Sequence, residues 1–161
     1  MDQVRFGIVG FGAMGLQHAR IMLEQVPEAR LAAVATRNGT NIATLRGLPG
    51  GEQVRVFDTP QDMYASGEID AVLIASPHRA HVAQAKEAFA AGMHVLLEKP
   101  TGVFTREVRE LNAAADASGR AFGAMFNVRT NPAYKRMKEI VASGELGEAE
   151  IAAIQRLLRE E

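Results

Sequence analysis

Val4-Arg5-Phe6-Gly7-Ile8-Val9 runs straight into Gly10-Phe11-Gly12-Ala13-Met14-Gly15, and this junction decides the fold. The apolar run reads as a strand. The next segment, with Leu16, Ala19 and Ile21-Met22-Leu23, has helical spacing. Strand, G-x-G-x-x-G turn and helix in that order form the context of a dinucleotide fingerprint. Gly10 permits the tight turn, Gly12 leaves room for a pyrophosphate against the backbone, and Gly15 lets helix and strand pack closely. The free N–H groups and positive dipole end of the helix then face the phosphates.

Outward from this junction, short apolar runs alternate with helix-period segments. Strands are expected over Val4–Val9, Leu31–Thr36, Val54–Phe57, Ala71–Ala75, His94–Leu97 and Ala121–Phe126. Helices are expected over Ala13–Gln25, Pro60–Ala65, Arg79–Ala91, Thr105–Ala117 and Pro132–Ala142, with a weak one near Asn41–Arg46. Four helices stop at glycine, at Gly67, Gly92, Gly119 and Gly144, where the left-handed cap conformation is cheap. The alternation predicts right-handed βαβ units and a three-layer α/β fold, a doubly wound parallel Rossmann sheet in the order 3-2-1-4-5-6. Gly39–Gln53, with Leu48-Pro49-Gly50-Gly51, is the softest stretch and reads as a surface loop.

The 161 residues suit a single domain, expected over 1–147, with an added helix over 148–161. Apolar residues make up 47% and charged ones 23%, a globular balance. A net charge of −1 gives no electrostatic case for nucleic acid or an anionic membrane. The absence of cysteine removes disulfides, thiolate catalysis and cysteine zinc sites. No apolar run reaches the ~20 residues of a membrane helix, and a strand begins too soon after Met1 for a signal peptide. The expectation is a soluble, cytoplasmic protein.

Three further segments carry chemistry. The second strand ends in Thr36-Arg37-Asn38, where an NAD-preferring site places a carboxylate for the ribose 2′-hydroxyl. An arginine fork with hydroxyl and amide donors suits a 2′-phosphate instead, so NADP(H) is favoured and NAD(H) is the alternative. The fourth strand ends in Ser76-Pro77-His78-Arg79-Ala80-His81, so Pro77 can line the crevice. No third ligand cluster accompanies His78 and His81, which read as solvent-accessible histidines at a helix start and not as metal ligands. The fifth strand ends in Glu98-Lys99-Pro100, where a lysine can hydrogen-bond a substrate oxygen and desolvation can lower its pKa. Taken alone, Lys99 also reads as an ordinary surface lysine.

Together these motifs resemble the nucleotide-binding half of the Gfo/Idh/MocA oxidoreductases, the glucose–fructose oxidoreductase and inositol dehydrogenase family. The resemblance runs from about Val4 to Gly147 and includes the fingerprint followed by His18, and Ser76-Pro77 with His81. Its most specific segment is Ala91-Gly92-Met93-His94-Val95-Leu96-Leu97-Glu98-Lys99-Pro100. Phe126-Asn127-Val128-Arg129-Thr130-Asn131-Pro132 and Gly144-Glu145-Leu146-Gly147 follow. The resemblance implies that Gly10, Phe11, Gly12, Ala13, Met14 and Gly15 hold the pyrophosphate and that Thr36, Arg37 and Asn38 surround the adenosine ribose. It implies that Ser76, Pro77 and His81 lie along the cofactor, with Glu98 near the nicotinamide ribose. Lys99 would touch the reacting substrate oxygen, and Arg129 would face the cofactor or substrate. It also implies hydride exchange between nicotinamide and a carbinol or ketone of a sugar or cyclitol.

The family's pattern continues into a second α/β domain that carries a catalytic histidine, whereas the histidines here are His18, His78, His81 and His94. Residues 148–161 have helical spacing, with Ile151, Ile154 and Leu157/Leu158 on one stripe. They are expected to close an apolar surface that the second domain would otherwise cover, in a natural short form or an engineered one. The function expected is that of an NADP(H)-binding domain, inactive or nearly so alone. Two alternatives stay open: a small NADP-dependent dehydrogenase completed by self-association, and a Rossmann scaffold without catalysis. A homodimer through the tail helix or an open sheet face is the partner expected besides the dinucleotide.

Overall fold

The computed structural model describes residues 3–147. Two compact units divide at Met125/Phe126. The first is a parallel sheet of six strands, β1 (Val4–Val9), β2 (Ala29–Ala35), β3 (Arg55–Phe57), β4 (Ala71–Ile74), β5 (His94–Glu98) and β6 (Phe122–Met125). Their order across the sheet is β3-β2-β1-β4-β5-β6, as the alternation predicted. The helices between them are α1 (Ala13–Gln25), α2 (Gly39–Arg46), α3 (Pro60–Ala65), α4 (His81–Ala90) and α5 (Thr105–Ser118). The second unit contains a short helical turn, Asn127–Thr130, and α6 (Pro132–Ser143). The boundary expected after Gly147 therefore falls within the second unit's sequence range. The expected helix over 148–161 lies outside the described residues.

The sheet has a separate apolar core on each face, because successive strand residues point to opposite sides. Val9, Val72, Ile74, Val95 and Leu97 pack with Met63, Ala85, Phe89 and Leu111, side chains of α3, α4 and α5. Ile8, Val34 and Leu73 pack on the other face with Ala19 of α1 and Leu45 of α2. Full burial of a side chain of this size contributes about 1.5–3 kcal/mol. Gly67, Gly92, Gly119 and Gly144 all have positive φ, as the helix stops required.

Gly39–Gln53 bears out the weak helix expected near Asn41–Arg46 and departs from its reading as a loop. It holds α2 and a helical turn at Gly51–Gln53. The local sequence Gly39-Thr40-Asn41 is a poor helix start. Tertiary contacts override that weakness: Leu45 is fully buried, and Asn38 caps the helix by accepting the Asn41 N–H. At the amino ends of the strands, Arg5 fastens β1 to the turn before β4. Its Nε donates to Asp70 Oδ2 at 3.0 Å, Nη2 to Oδ1 at 2.5 Å, and its backbone N–H to Oδ2 at 3.0 Å. These bonds hold the Asp70 carboxyl below the usual carboxylate range.

Candidate functional site

In a doubly wound sheet the ligand crevice opens at the carboxyl ends of the strands, where the connections from two neighbouring strands diverge. Here β1 and β4 are those neighbours. Gly10 ends β1 at φ +84°, and any Cβ there would collide with the backbone of Ser76 at the end of β4. A Cβ on Gly15 would strike the Gly10 carbonyl, so α1 lies tight against the turn. A Cβ on Gly12, by contrast, would meet nothing within 4 Å. Gly12 also caps α1 without a side-chain hydrogen bond, and the first turn holds no acidic residue. Exposed backbone above uncapped helical N–H groups suits an anionic pyrophosphate in both space and charge. Ala13 and Met14 are exposed on this lip, whereas Phe11, 4% exposed, turns inward to the core beside Ile8 and Leu45.

Helix α2, which follows β2, approaches the fingerprint through Asn41, whose Nδ2 donates to the Phe11 carbonyl. This tie between α2 and the turn escaped the sequence reading, because nothing local marks an asparagine that bonds thirty residues away. Thr36 Oγ1 accepts the Asn38 N–H at 3.2 Å, and Asn38 Oδ1 is spent on capping α2. Arg37 differs. It is exposed, and no described residue pairs with its guanidinium by hydrogen bond or salt bridge.

At the far end, Ser76 Oγ donates to Gln84 Oε1 at 2.5 Å, and Pro77 is exposed. His78 is exposed as expected, but His81 is fully buried. The reading of both as solvent-accessible therefore fails for His81. A short helical turn over His78–Ala80 delays α4 by two residues and rotates His81 inward. Its Nδ1 lies 2.7 Å from the Pro100 carbonyl and its Nε2 lies 2.8 Å from the Ser76 carbonyl. A doubly protonated ring donates to both carbonyls, and a neutral ring to one.

Glu98 is 7% exposed and receives two hydrogen bonds. His18 Nε2 donates to Oε1 at 2.7 Å, and the Lys99 N–H donates to Oε2 at 3.0 Å. Lys99 is exposed, with its ammonium in no salt bridge to a described residue, and it precedes a cis Pro100. Arg129 belongs to the second unit, where its guanidinium lies 4.9 Å from the Phe126 ring centroid. Among the described residues no group of three His, Asp or Glu side chains could hold a metal ion, and no helix is long and apolar enough to cross a membrane. A cavity of about 280 Å³ lined by Gln3, Leu23, Arg30, Gly50 and Arg55 contains none of the expected site residues.

Comparison with known proteins agrees with this geometry. Residues 4–126 match the sequence profile of the Gfo/Idh/MocA oxidoreductase family with its NAD-binding Rossmann fold. An inositol 2-dehydrogenase of Saccharopolyspora erythraea is 34% identical over 146 residues, which are 90% of this chain and 43% of that protein. The rhizopine catabolism protein MocA of Rhizobium meliloti is 33% identical over 91% of this chain and 45% of its own length. Among solved structures, scyllo-inositol dehydrogenase from Lactobacillus casei with bound NAD(H) and scyllo-inositol superposes with a TM-score of 0.81 at 28% identity. That match covers 91% of this chain and 43% of the other. The chain thus spans less than half the length of these relatives. With its strand order, its fingerprint and this matched span, it belongs to the Gfo/Idh/MocA oxidoreductase family and carries that family's NAD-binding Rossmann fold.

Proposed function

We propose that this chain is an NADP(H)-preferring dinucleotide domain of a dehydrogenase that interconverts a carbinol and a ketone on a cyclitol or sugar. The observation that carries the cofactor preference is Arg37. It stands exposed and unpaired among the described residues just beyond β2, where no carboxylate follows Ala35 until Glu52. A guanidinium there meets a 2′-phosphate with charge-assisted hydrogen bonds, and no acid repels it. The substrate class draws on the inositol dehydrogenases among the relatives.

A bound nicotinamide would exchange the hydride. The chain's own residues hold the dinucleotide and present Lys99. The N-terminus of α1 and the open backbone at Gly12 take the pyrophosphate, while Thr36 and Arg37 edge the adenosine ribose. The Lys99 ammonium donates a hydrogen bond to the reacting oxygen and stabilises negative charge there. His18 and His81 are occupied by Glu98 and by backbone carbonyls, which leaves Lys99 to carry the proton chemistry at this end. Turnover by this segment alone is accordingly slow or absent, and Lys99 works fully only where a wall excludes water.

Fluorescence titration with NADPH and NADH tests the reading. NADPH is expected to bind more tightly, and Arg37→Ala is expected to weaken it about tenfold or more while changing NADH less than about twofold. Tighter binding of NADH by the native protein would overturn the preference.

A further inference from the structure

The run Glu98-Lys99-Pro100 leaves the sheet at the end of β5, where strand hydrogen bonding stops. An exposed lysine on such a segment would ordinarily wander. Two histidines from different helices meet this run on either side of Lys99. His18, on α1, reaches across eighty positions to give its Nε2–H to Glu98 Oε1 at 2.7 Å, and the other oxygen of that carboxylate takes the Lys99 N–H. His81, at the start of α4, faces the Pro100 carbonyl at 2.7 Å through Nδ1 and the Ser76 carbonyl at 2.8 Å through Nε2. The two helices pack on opposite faces of the sheet, so the segment is gripped from both layers. The His18 and Glu98 side chains are 12% and 9% exposed, and His81 is fully buried. In such surroundings the hydrogen bonds are strong, and any donor or acceptor left unpaired is costly.

We propose that His18 and His81 are positioning residues for Lys99: His18 pins Glu98, and with it the Lys99 backbone, while His81 pins Pro100. His18 lies one turn beyond Gly15 on the helix whose N-terminus faces the pyrophosphate. His81 lies between the Ser76 carbonyl, at the other lip of the crevice, and the Pro100 carbonyl of the Lys99 segment. The lysine is thereby set relative to both surfaces that a dinucleotide would touch. Glu98 acts as the anchor for this arrangement, with both of its oxygens engaged. The catalytic importance of such positioning rests on the reading of Lys99 as the group at the reacting oxygen, but the pinning itself does not.

Amide hydrogen exchange in the full chain without dinucleotide tests the pinning. His18→Leu and His81→Leu are each expected to speed exchange of the Lys99 N–H at least about tenfold relative to the amides of Leu73 and Val95 in the central strands. His18→Gln keeps an N–H for Glu98 and is expected to stay within about threefold of the native rate. If a leucine variant fails to fold, Glu98→Gln serves in its place. Its single carbonyl oxygen can serve one of the two donors well, so either the Lys99 amide exchanges faster or the His18 ring N–H signal moves.

Addition of NADPH supplies the second readout. It is expected to shift the Lys99 amide resonance in the native protein. In His18→Leu that shift disappears while the NADPH Kd stays within about threefold, a separation that general destabilisation would not produce. Unchanged Lys99 exchange in the variants, or an equal rise at Leu73, overturns the proposal. If NADPH does not bind, the functional reading fails, while the exchange rates still decide whether the histidines pin the lysine.

Discussion

At the fingerprint end of the crevice the chain presents backbone, whereas at the Lys99 end it presents side chains that other side chains hold in place. The first end needs little beyond glycines at three positions, with Gly10 against Ser76 and Gly15 against Gly10 setting how closely strand, turn and helix approach. The second end depends on two long-range imidazole contacts and a buried carboxylate. A backbone site has few ways to fail gradually, because a misplaced Cβ moves the whole helix. A side-chain site loses its geometry one hydrogen bond at a time.

The largest effect should follow from breaking the backbone end. Gly10→Val places a branched side chain at φ +84° and into the backbone of Ser76, so both strain and collision oppose it. Dinucleotide binding is expected to fall by more than about a hundredfold, with a loss of several kcal/mol in stability, because steric overlap and a forbidden φ act together. Titration and chemical unfolding measure the two effects. A variant that binds NADPH within tenfold of the native protein would show that the turn does not hold the phosphates. The Arg37→Ala loss of about tenfold comes next, since one charged contact is at stake and the turn remains intact.

The same contrast explains what the sequence made legible. The fingerprint and its strand and helix are contiguous, so their chemistry appears in fifteen letters, and the bounds of β1, α1 and α3 matched expectation. The strand order followed from alternation of elements, a feature of the whole chain that needs no particular contact. His81 was misread because helical periodicity alone does not reveal that a preceding turn, His78–Ala80, rotates it under the Pro100 carbonyl. Asn41 and the tie from His18 to Glu98 were missed for a related reason: each partner lies thirty to eighty positions away, and a polar residue shows no preference for a distant mate. Lys99 was singled out through its neighbours in a recognised run. What holds it in place came only from three-dimensional contacts.

Asp70 provides the smallest effect and a control on the comparison, because it lies at the amino ends of the strands, away from either end of the crevice. Its carboxyl is held below the ordinary carboxylate range, first by the side-chain hydrogen bonds of Arg5 and then by the Arg5 backbone N–H and charge. A group depressed in the folded state adds stability that is fully present above its unfolded pKa of about 4 and is lost as pH falls through its folded value. Asp70→Asn should therefore lower the Tm near pH 7, and the gap to the native protein should close as the pH drops below about 4. The side chains of Arg5 and Asp70 are 38% and 40% exposed, so solvent and salt screen the pair and the gap should shrink at high ionic strength. Thermal melts from pH 7 to pH 3 measure it. NADPH affinity at pH 7 should stay within about twofold, since no hydrogen bond of Asp70 reaches the crevice. A larger loss of affinity would mean that the amino edge of the sheet sets the geometry of the carboxyl edge, and the division between a backbone end and a side-chain end would then be too local a description of how this crevice is held.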